Sequence, residues 1–487
     1  MKRLWSLSLA IFFLLFSTGC GEFDLDDFAA YYDNEGGPGA TIAIFQDGET
    51  KYTKSFGYSS VSDKTAITSQ TVFPISSMSK HITAACVLKL VEREQLRLDQ
   101  DILEFFPQLS SFAQGITVAD LLNHTSGIPS RSSAATMRGQ QIFKYEKEPV
   151  DWLVAHGKLE FEPGTKYQYG NTSYYLAAEI VRIVAQKSLQ DFAEEEFFSK
   201  LGMDDTFFRS YPEDLGANVA MGYAMNEEGE YKERPSKIQY IGAVGVFTTV
   251  EDFKKWEEAF HKKELLPAEL HARYESSYQL DSGEGFNYAY GLRLDDQNGV
   301  KKAFHAGQDY DIGYVSYFAR YPEHGLTYVI LSNASHFAMS QARGLVEQYI
   351  ADNQLIDTDK ESLATHKELS NNDQWEEAKA QAKLDRSPAE LELYAGSYYN
   401  ENLDANYSLQ LNAEGNALEV RVNEIDPVEL LWLEEDKAIA ASTYHIAGIW
   451  LSARAPIFKF TRTDGAISGF QLDGGGTNGI DFIRIPK

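Results

Sequence analysis

The sequence predicts an α/β protein in two parts. A large domain carries an antiparallel sheet flanked by helices and split by a helical insertion, and a small C-terminal antiparallel β-barrel follows it. Three observations predict this. Strand-like runs stand near residues 41–57 and again at 307–333, with mostly helical texture between about 98 and 240, so the two ends build one sheet around an insertion. Residues 355–388 are charged and poor in apolar side chains, as a linker is. After Pro388 the chain changes to short alternating runs separated by turns, the signature of a small β domain over 389–487.

Taken in order, residues 1–20 read as a secretory signal. Lys2 and Arg3 precede an apolar run from Leu4 to Phe16, which is too short to span a bilayer. Ser17-Thr18-Gly19 leads into Cys20 as small residues lead into a bacterial lipoprotein cleavage box, so Cys20 is the expected lipidation site. The expected location is exported and periplasm-facing, held at the membrane through that lipid anchor only (at the outer membrane in a Gram-negative cell). Polar, glycine-rich residues 21–37 read as a tether. Thr41–Gln46 and Lys51–Gly57 flank Asp47-Gly48, a turn pair that predicts a hairpin. A helix is expected over 76–93, and Cys86 within it, beside Ala84, Ala85, Val87 and Leu88, reads as core. Gly313–Arg320, the turn at Pro322-Glu323-His324-Gly325, Leu326–Ser332 and a helix over Met339–Ala351 close the large domain. In the linker, Trp375–Lys383 reads as an isolated helix. Beyond it the clearest strands are Tyr407–Leu411, Leu418–Val422, Ile457–Phe460, Phe470–Leu472 and Phe482–Ile485.

Charge narrows the function classes. The 487 residues carry a formal net charge of −28, and removing Lys2 and Arg3 with residues 1–19 takes it to −30. The acidity is spread along the chain, which argues against a nucleic-acid partner, since phosphates require a basic surface. With Cys20 acylated, Cys86 has no partner within the chain, so no disulfide framework is expected. No His-Glu-x-x-His or paired Cys-x-x-Cys pattern occurs, and neither metal nor cofactor is called for.

Chemistry concentrates at Ser77-Met78-Ser79-Lys80. A serine and a lysine three apart at the start of a helix lie on one face, which puts an amine beside a hydroxyl. An ordinary lysine, with a pKa of about 10.4, becomes a base near neutrality only when burial or a second cation lowers that value. Helix N-termini also present N–H groups to a developing oxyanion.

Three further segments accompany it: Leu121–Pro129, which holds Asn123-His124-Thr125-Ser126-Gly127; Pro163–Asn171, which holds Tyr169-Gly170-Asn171; and Phe304-His305-Ala306-Gly307. In order and spacing these resemble the serine β-lactamase and penicillin-binding-protein superfamily. Tyr-x-Asn as the middle motif resembles the branch of class C β-lactamases, D-alanyl-D-alanine carboxypeptidases, D-aminopeptidases and related esterases. The resemblance covers about residues 35–352 and includes Gly242–Thr249, similar to that branch's glycine-rich segment before a helix. Residues 389–487 are similar to the lipocalin-like domain often appended to such hydrolases.

The resemblance implies a β-lactamase-like hydrolase domain over 38–354 with defined roles. Ser77 attacks a carbonyl carbon and becomes acylated. Lys80 takes part in proton transfer and holds Ser77 in place. Tyr169 acts as general base and passes the proton to the leaving group, its ionised form being reasonable only beside a cation such as Lys80. Asn171 orients Lys80 and the substrate amide, and the N–H groups of Ser77 and Gln308 (the latter following Gly307) form the oxyanion hole. The third motif departs from Lys-Thr-Gly. His305, with an ordinary pKa of about 6.5, replaces a permanent cation, which disfavours carboxylate-bearing β-lactams and favours peptidase or esterase chemistry. Outside these roles, Tyr167, Tyr174 and Tyr175 read as packing residues and His124 as a structural turn residue. The expected protein is an exported serine hydrolase acting on a small-molecule or peptide substrate; the competing reading is a lipid-anchored, non-catalytic binding protein that keeps the fold.

Overall fold

The computed structural model describes residues 24–130, 149–209, 218–225, 230–234, 241–297, 299–309, 312–358, 363, 382, 384–400, 405–422, 427–440, 445–446, 449–450, 457–474 and 477–486. Residues 1–20 with Cys20, and most of the expected Trp375–Lys383 helix, lie outside this set.

The fold begins earlier than the tether reading allowed. Leu25–Glu35 is an α-helix (α1), opened by Asp24 in a reciprocal capping box with Asp27 and closed by Gly36 in the left-handed region. Its Leu25, Phe28, Ala29 and Tyr32 are buried. They recur at i, i+3, i+4 and i+7 and so make one helical face. Two strands follow, β1 (Ala40–Gln46) and β2 (Glu49–Phe56), joined at Asp47 (φ 52°) and Gly48 (φ 80°). Two positive φ values in a two-residue link match the twist of the flanking strands, as the Asp-Gly pair predicted.

Helix α2 (Ser79–Glu92) comes next, then α3 (Val118–Asn123) and α4 (Asn171–Ala185) in the insertion. Short strands at Phe207–Phe208, Gly222–Met225 and Tyr231–Arg234, which the helical texture did not announce, also lie there. The late strands are β3 (Tyr288–Ala289), β4 (Leu292–Gln297), β5 (Val300–Asp309), β6 (Tyr314–Tyr321) and β7 (Leu326–Ser332), and helix α5 (Met339–Asp352) ends the domain.

Together they form one seven-stranded antiparallel sheet in the order β3-β4-β5-β6-β7-β1-β2, so the two ends of the domain meet at the β7–β1 pair. Both faces are covered. Ile42, Ile44, Tyr317 and Tyr328 pack with α1 and α5 on one side, while Ala43, Phe45, Phe318 and Val329 pack with α2 on the other. Alternation thus sends successive apolar residues into two cores, which explains why β6 and β7 are buried throughout.

Beyond a capped turn of helix at Pro388–Glu392, eight strands close into an antiparallel barrel: β8 (Gly396–Asn400), β9 (Ala405–Leu411), β10 (Leu418–Val422), β11 (Val428–Glu434), β12 (Lys437–Ala440), β13 (Ile457–Thr463), β14 (Ala466–Gly474) and β15 (Thr477–Arg484). Tyr398, Tyr407, Trp432, Phe458, Phe460, Phe470 and Phe482 are buried in it and pack on one another, edge-on, tilted and stacked, at centroid separations of 4.5–6.5 Å.

Candidate active site

Ser77 lies in a 3₁₀ turn, Ser76–Met78, that precedes α2 rather than inside the helix's first turn. The spacing argument survives this, because residues i and i+3 eclipse in a 3₁₀ turn. Ser76 takes a positive φ of 47° to make the turn. Of residues 71–88, only Ser77 is not fully buried, so its hydroxyl is the point at which this apolar segment meets the cleft.

Helix α2 is buried on all sides from Ser79 to Leu88 and carries Lys80 into the interior, 0% exposed. The Lys80 Nζ lies 3.1 Å from Ser77 Oγ, 2.8 Å from Asn171 Oδ1 and 2.9 Å from the carbonyl oxygen of Ala243, with the Tyr169 ring centroid 4.8 Å away. Burial holds this amine well below the ordinary lysine value. The Ala243 carbonyl is supplied by the glycine-rich segment. Gly242 (φ 118°) passes so close to helix α4 that a Cβ would stand 2.5 Å from the Tyr174 carbonyl oxygen. Two more bonds brace the segment on α2: Thr83 Oγ1 donates to the Gly242 carbonyl (2.7 Å), and the Val246 N–H donates to Ser79 Oγ (3.0 Å).

Tyr169 and Asn171 flank the start of α4, whose N-cap is Gly170. The Tyr169 hydroxyl shares a hydrogen bond with Ser77, yet burial pushes the phenol above its ordinary value. At rest Tyr169 is therefore a phenol, not the tyrosinate that a resting general base requires.

The third motif is the edge of β5. Its pairing with β4 ends at Phe304, and Gln308 opposes Val315 on the other side. Gly307 permits close approach to the turn that holds Ser77, since a Cβ there would stand 2.2 Å from the Ile75 carbonyl oxygen and 2.1 Å from Ser316 Oγ. Ser316 Oγ donates to that same carbonyl (2.9 Å) and locks strand to turn. His305 is buried, 3% exposed, with Nδ1 2.6 Å from the Ala306 carbonyl oxygen. Burial, with the nearby Arg293 charge beside it, holds its pKa well below 6.5, so the ring is neutral. The positive charge of a Lys-Thr-Gly motif is absent from this position.

The structure therefore gathers Lys80, Asn171 and Tyr169 around Ser77, sets Gly307 against the turn that holds Ser77 and the His305 ring 6.0 Å from that of Tyr169, and leaves Gln308 next to Gly307 on the same strand. Sequence reasoning missed the Ala243 carbonyl, a main-chain group that no side chain announces, and Arg293 on β4, whose charge acts on Tyr169, Tyr167, His124 and His305. Tyr174 packs as expected, its ring 5.7 Å from Lys80 Nζ. Cys86 is fully buried and its thiol is raised by burial, consistent with a core role.

Comparison with known proteins follows this geometry. The Beta-lactamase family model matches residues 26–350. Penicillin-binding protein 4* of Bacillus subtilis is 27% identical over 312 residues, spanning 60% of this chain and 67% of that protein. A D-aminopeptidase of Gluconobacter oxydans is 24% identical over 273 residues, 56% of this chain; the match spans 51% of the enzyme, so this chain aligns with about half its length. Among solved structures, the octameric penicillin-binding protein homologue from Pyrococcus abyssi superposes with a TM-score of 0.60 at 24% identity, over 94% of this chain and 98% of that one. The D-amino acid amidase from Ochrobactrum anthropi SV3 gives 0.54 at 23% identity, over 67% and 98%. At these identities the superpositions establish the fold, in the first case across both parts of the chain. Matched by the family model over two thirds of its length, and carrying the family's motifs in one cleft, this chain belongs to the β-lactamase family of serine hydrolases.

Proposed function

We propose that the protein is an exported serine hydrolase that forms an acyl-enzyme at Ser77 on an amide or ester, with D-amino-acid peptides of the cell wall and small esters as the substrate classes. The observation that carries this is the three-point seat of Lys80. An unprotonated amine has two hydrogens and one lone pair. Asn171 Oδ1 and the Ala243 carbonyl can only accept, so in the unprotonated amine they take the two hydrogens and leave the lone pair for the Ser77 hydroxyl; an ammonium would donate at all three contacts, and the burial that holds Lys80 well below the ordinary value favours the unprotonated form. Lys80 is then the resting base, activated by burial as a catalytic lysine must be.

In acylation the Ser77 proton passes to Lys80 as Oγ bonds to the carbonyl carbon. The Ser77 and Gln308 N–H groups receive the oxyanion. As the bond to the leaving group breaks, Tyr169 protonates the departing amine or alcohol, and the Lys80 ammonium restores the phenol. Water reverses these transfers in deacylation and returns the proton to Ser77.

A neutral His305 supports acceptance of substrates without a carboxylate at that subsite, which places peptidase and esterase action ahead of β-lactam hydrolysis. D-aminopeptidases and a D-amino acid amidase among the similar proteins support the D-amino-acid class. Export and lipidation at Cys20 rest on the leader sequence. Labelled palmitate incorporated by the wild type and lost in Cys20→Ala is the expected result for that part. The activity is tested by turnover of a short-chain p-nitrophenyl ester, wild type against Ser77→Ala, in protein lacking residues 1–20. Loss in the variant, followed by cleavage of D-amino-acid amides or muropeptides, supports the reading; equal turnover in both sinks it.

A further inference from the structure

We propose that His124 is the positioning residue for Tyr169, holding the chain on both sides of it with its carbonyl and with one fixed tautomer of its ring. The proposal rests on the proton-carrying role of Tyr169 given above, but its evidence is separate. His124 ends α3 in the left-handed region (φ 60°) and is 1% exposed. The turn it begins is a bed for the segment that carries Tyr169. The Gln168 N–H donates to the His124 carbonyl (2.9 Å), the Gly164 N–H to that of Thr125 (2.9 Å) and the Glu160 N–H to that of Gly127 (2.8 Å). Gly127 (φ 69°) is required for this fit, since a Cβ there would stand 2.1 Å from the Phe161 carbonyl oxygen.

The imidazole completes the clamp. The Gly170 N–H points at His124 Nδ1, 3.3 Å away, so that nitrogen carries the lone pair. A neutral ring then holds its hydrogen on Nε2, which donates to the Tyr288 hydroxyl at 3.0 Å. Tyr288 is hydrogen-bonded to Tyr174, and the Tyr174 hydroxyl donates to the Leu122 carbonyl at 2.7 Å. A carbonyl can only accept, so every donor in this chain points one way, from His124 to Leu122. Protonation of the ring would remove the acceptor that Gly170 uses. The His124 ring also lies against the Tyr169 ring, with centroids 4.5 Å apart. The Tyr167–Gln168 peptide, the peptide after Tyr169 and the Tyr169 ring face are thus all held by one residue. The charged and titratable groups facing the imidazole are Lys80, His305 and Arg293, with Tyr167, Tyr169, Tyr174 and Tyr288; burial and the Arg293 charge favour the neutral ring.

The test compares p-nitrophenyl acetate turnover by the full chain as wild type, His124→Phe and His124→Asn, with thermal unfolding measured alongside. Phenylalanine keeps the ring contact and loses both hydrogen bonds. Asparagine tolerates the left-handed backbone and carries an acceptor and a donor. The expected result is a fall in kcat of about 10²-fold in His124→Phe at little changed KM, the size of a misplaced catalytic group. Asparagine is expected to restore at least about a tenth of the wild-type kcat, since its Oδ1 stands where Nδ1 does and can accept from the Gly170 N–H, although its amide stops short of the Tyr288 hydroxyl. A folded His124→Phe with wild-type kcat, or an asparagine variant no better than phenylalanine, overturns the proposal. Nitrogen-15 spectra of the wild-type imidazole read the tautomer without any substitution. The Nε2–H form persisting from pH 8 to pH 5.5 is expected, and an Nδ1–H form or titration to imidazolium in that range contradicts it. Loss of Ser77→Ala turnover fails or holds independently of both results.

Discussion

The two parts of this molecule bury different chemistry. In the sheet domain the interior holds Lys80, His81, His124, His271, His305, the Lys302–Glu347 pair and the Arg320–Glu257 pair, whose guanidinium is 0% exposed. Among the described residues of the barrel the interior is apolar, aromatic rings set among aliphatic side chains such as Leu409, Val420 and Leu472, and Asn400 is its one buried polar residue. An eight-stranded barrel is just wide enough to be filled by its own side chains, and this one is filled by these apolar groups. Buried charge is costly unless each group is paired or neutralised. A domain that tolerates several such groups has been built around them, whereas the barrel follows packing alone. The difference locates the chemistry in the sheet domain and gives the barrel a packed core.

That contrast is broken or sharpened by substitution and pH. The largest expected effect is Ser77→Ala, which should lower ester kcat by at least about 10³-fold if acyl transfer runs through that hydroxyl; stopped-flow release of p-nitrophenol reads it directly. Lys80→Met removes the resting base and should cost about 10²–10⁴-fold in kcat, and urea unfolding should show a loss of about 1–3 kcal/mol, because Asn171 Oδ1 and the Ala243 carbonyl lose that donor. Phe470→Ala in the barrel should behave differently. It should cost about 3–5 kcal/mol of barrel stability by urea titration and leave ester kcat/KM unchanged.

Acid should separate the two parts as well. Burial holds His81 near pKa 3 and His261, His271 and His336 near 4, with His124 and His305 also well below the ordinary value. In the unfolded chain these rings bind protons at about pH 6.5. The unfolded state therefore holds more protons, and stability falls as pH drops from about 7 toward 4. All six lie in the sheet domain. Hydrogen exchange at pH 7.5 and 5.0, corrected for the intrinsic rate, should show its peptides losing protection while barrel peptides change less. The smallest effect expected is from His305→Lys, which returns a cation to β5 and should raise acylation by an anionic β-lactam about tenfold, the worth of one charge-assisted hydrogen bond; nitrocefin turnover measures it.

What was legible in the chain follows from how local each signal is. Ser77 and Lys80 are three residues apart, and their meeting is a property of one turn. Asp47-Gly48 needs two positive φ values and nothing from elsewhere. Tyr169, Asn171 and His305 lie far from Ser77 in sequence, and only the ordered motifs placed them beside it. Residues 21–37, which contain helix α1, read as a tether because Gly21, Gly36, Gly37 and the acids Glu22, Asp24, Asp26, Asp27, Asp33 and Glu35 dominate their composition. The Asp24 cap and the Leu25, Phe28, Ala29, Tyr32 spacing were there to find, but their partners, Phe56 and Phe337, come from distant strand and loop. The Ala243 carbonyl was beyond reach because every residue carries the same group. His124 stood in a turn, where a lone histidine has no local mark of a role. Its meaning comes from the Gly170 N–H and the Tyr288 hydroxyl, 46 and 164 residues away.

The central claim is that Ser77, deprotonated by Lys80, becomes covalently acylated. Intact-protein mass spectrometry after rapid mixing with a p-nitrophenyl ester, followed by peptide mapping, tests it most directly. The account predicts one acyl group per chain, on the peptide containing Ser77, present in the wild type and absent in Ser77→Ala. Turnover without any adduct on that peptide, or an adduct that survives the substitution, would contradict it.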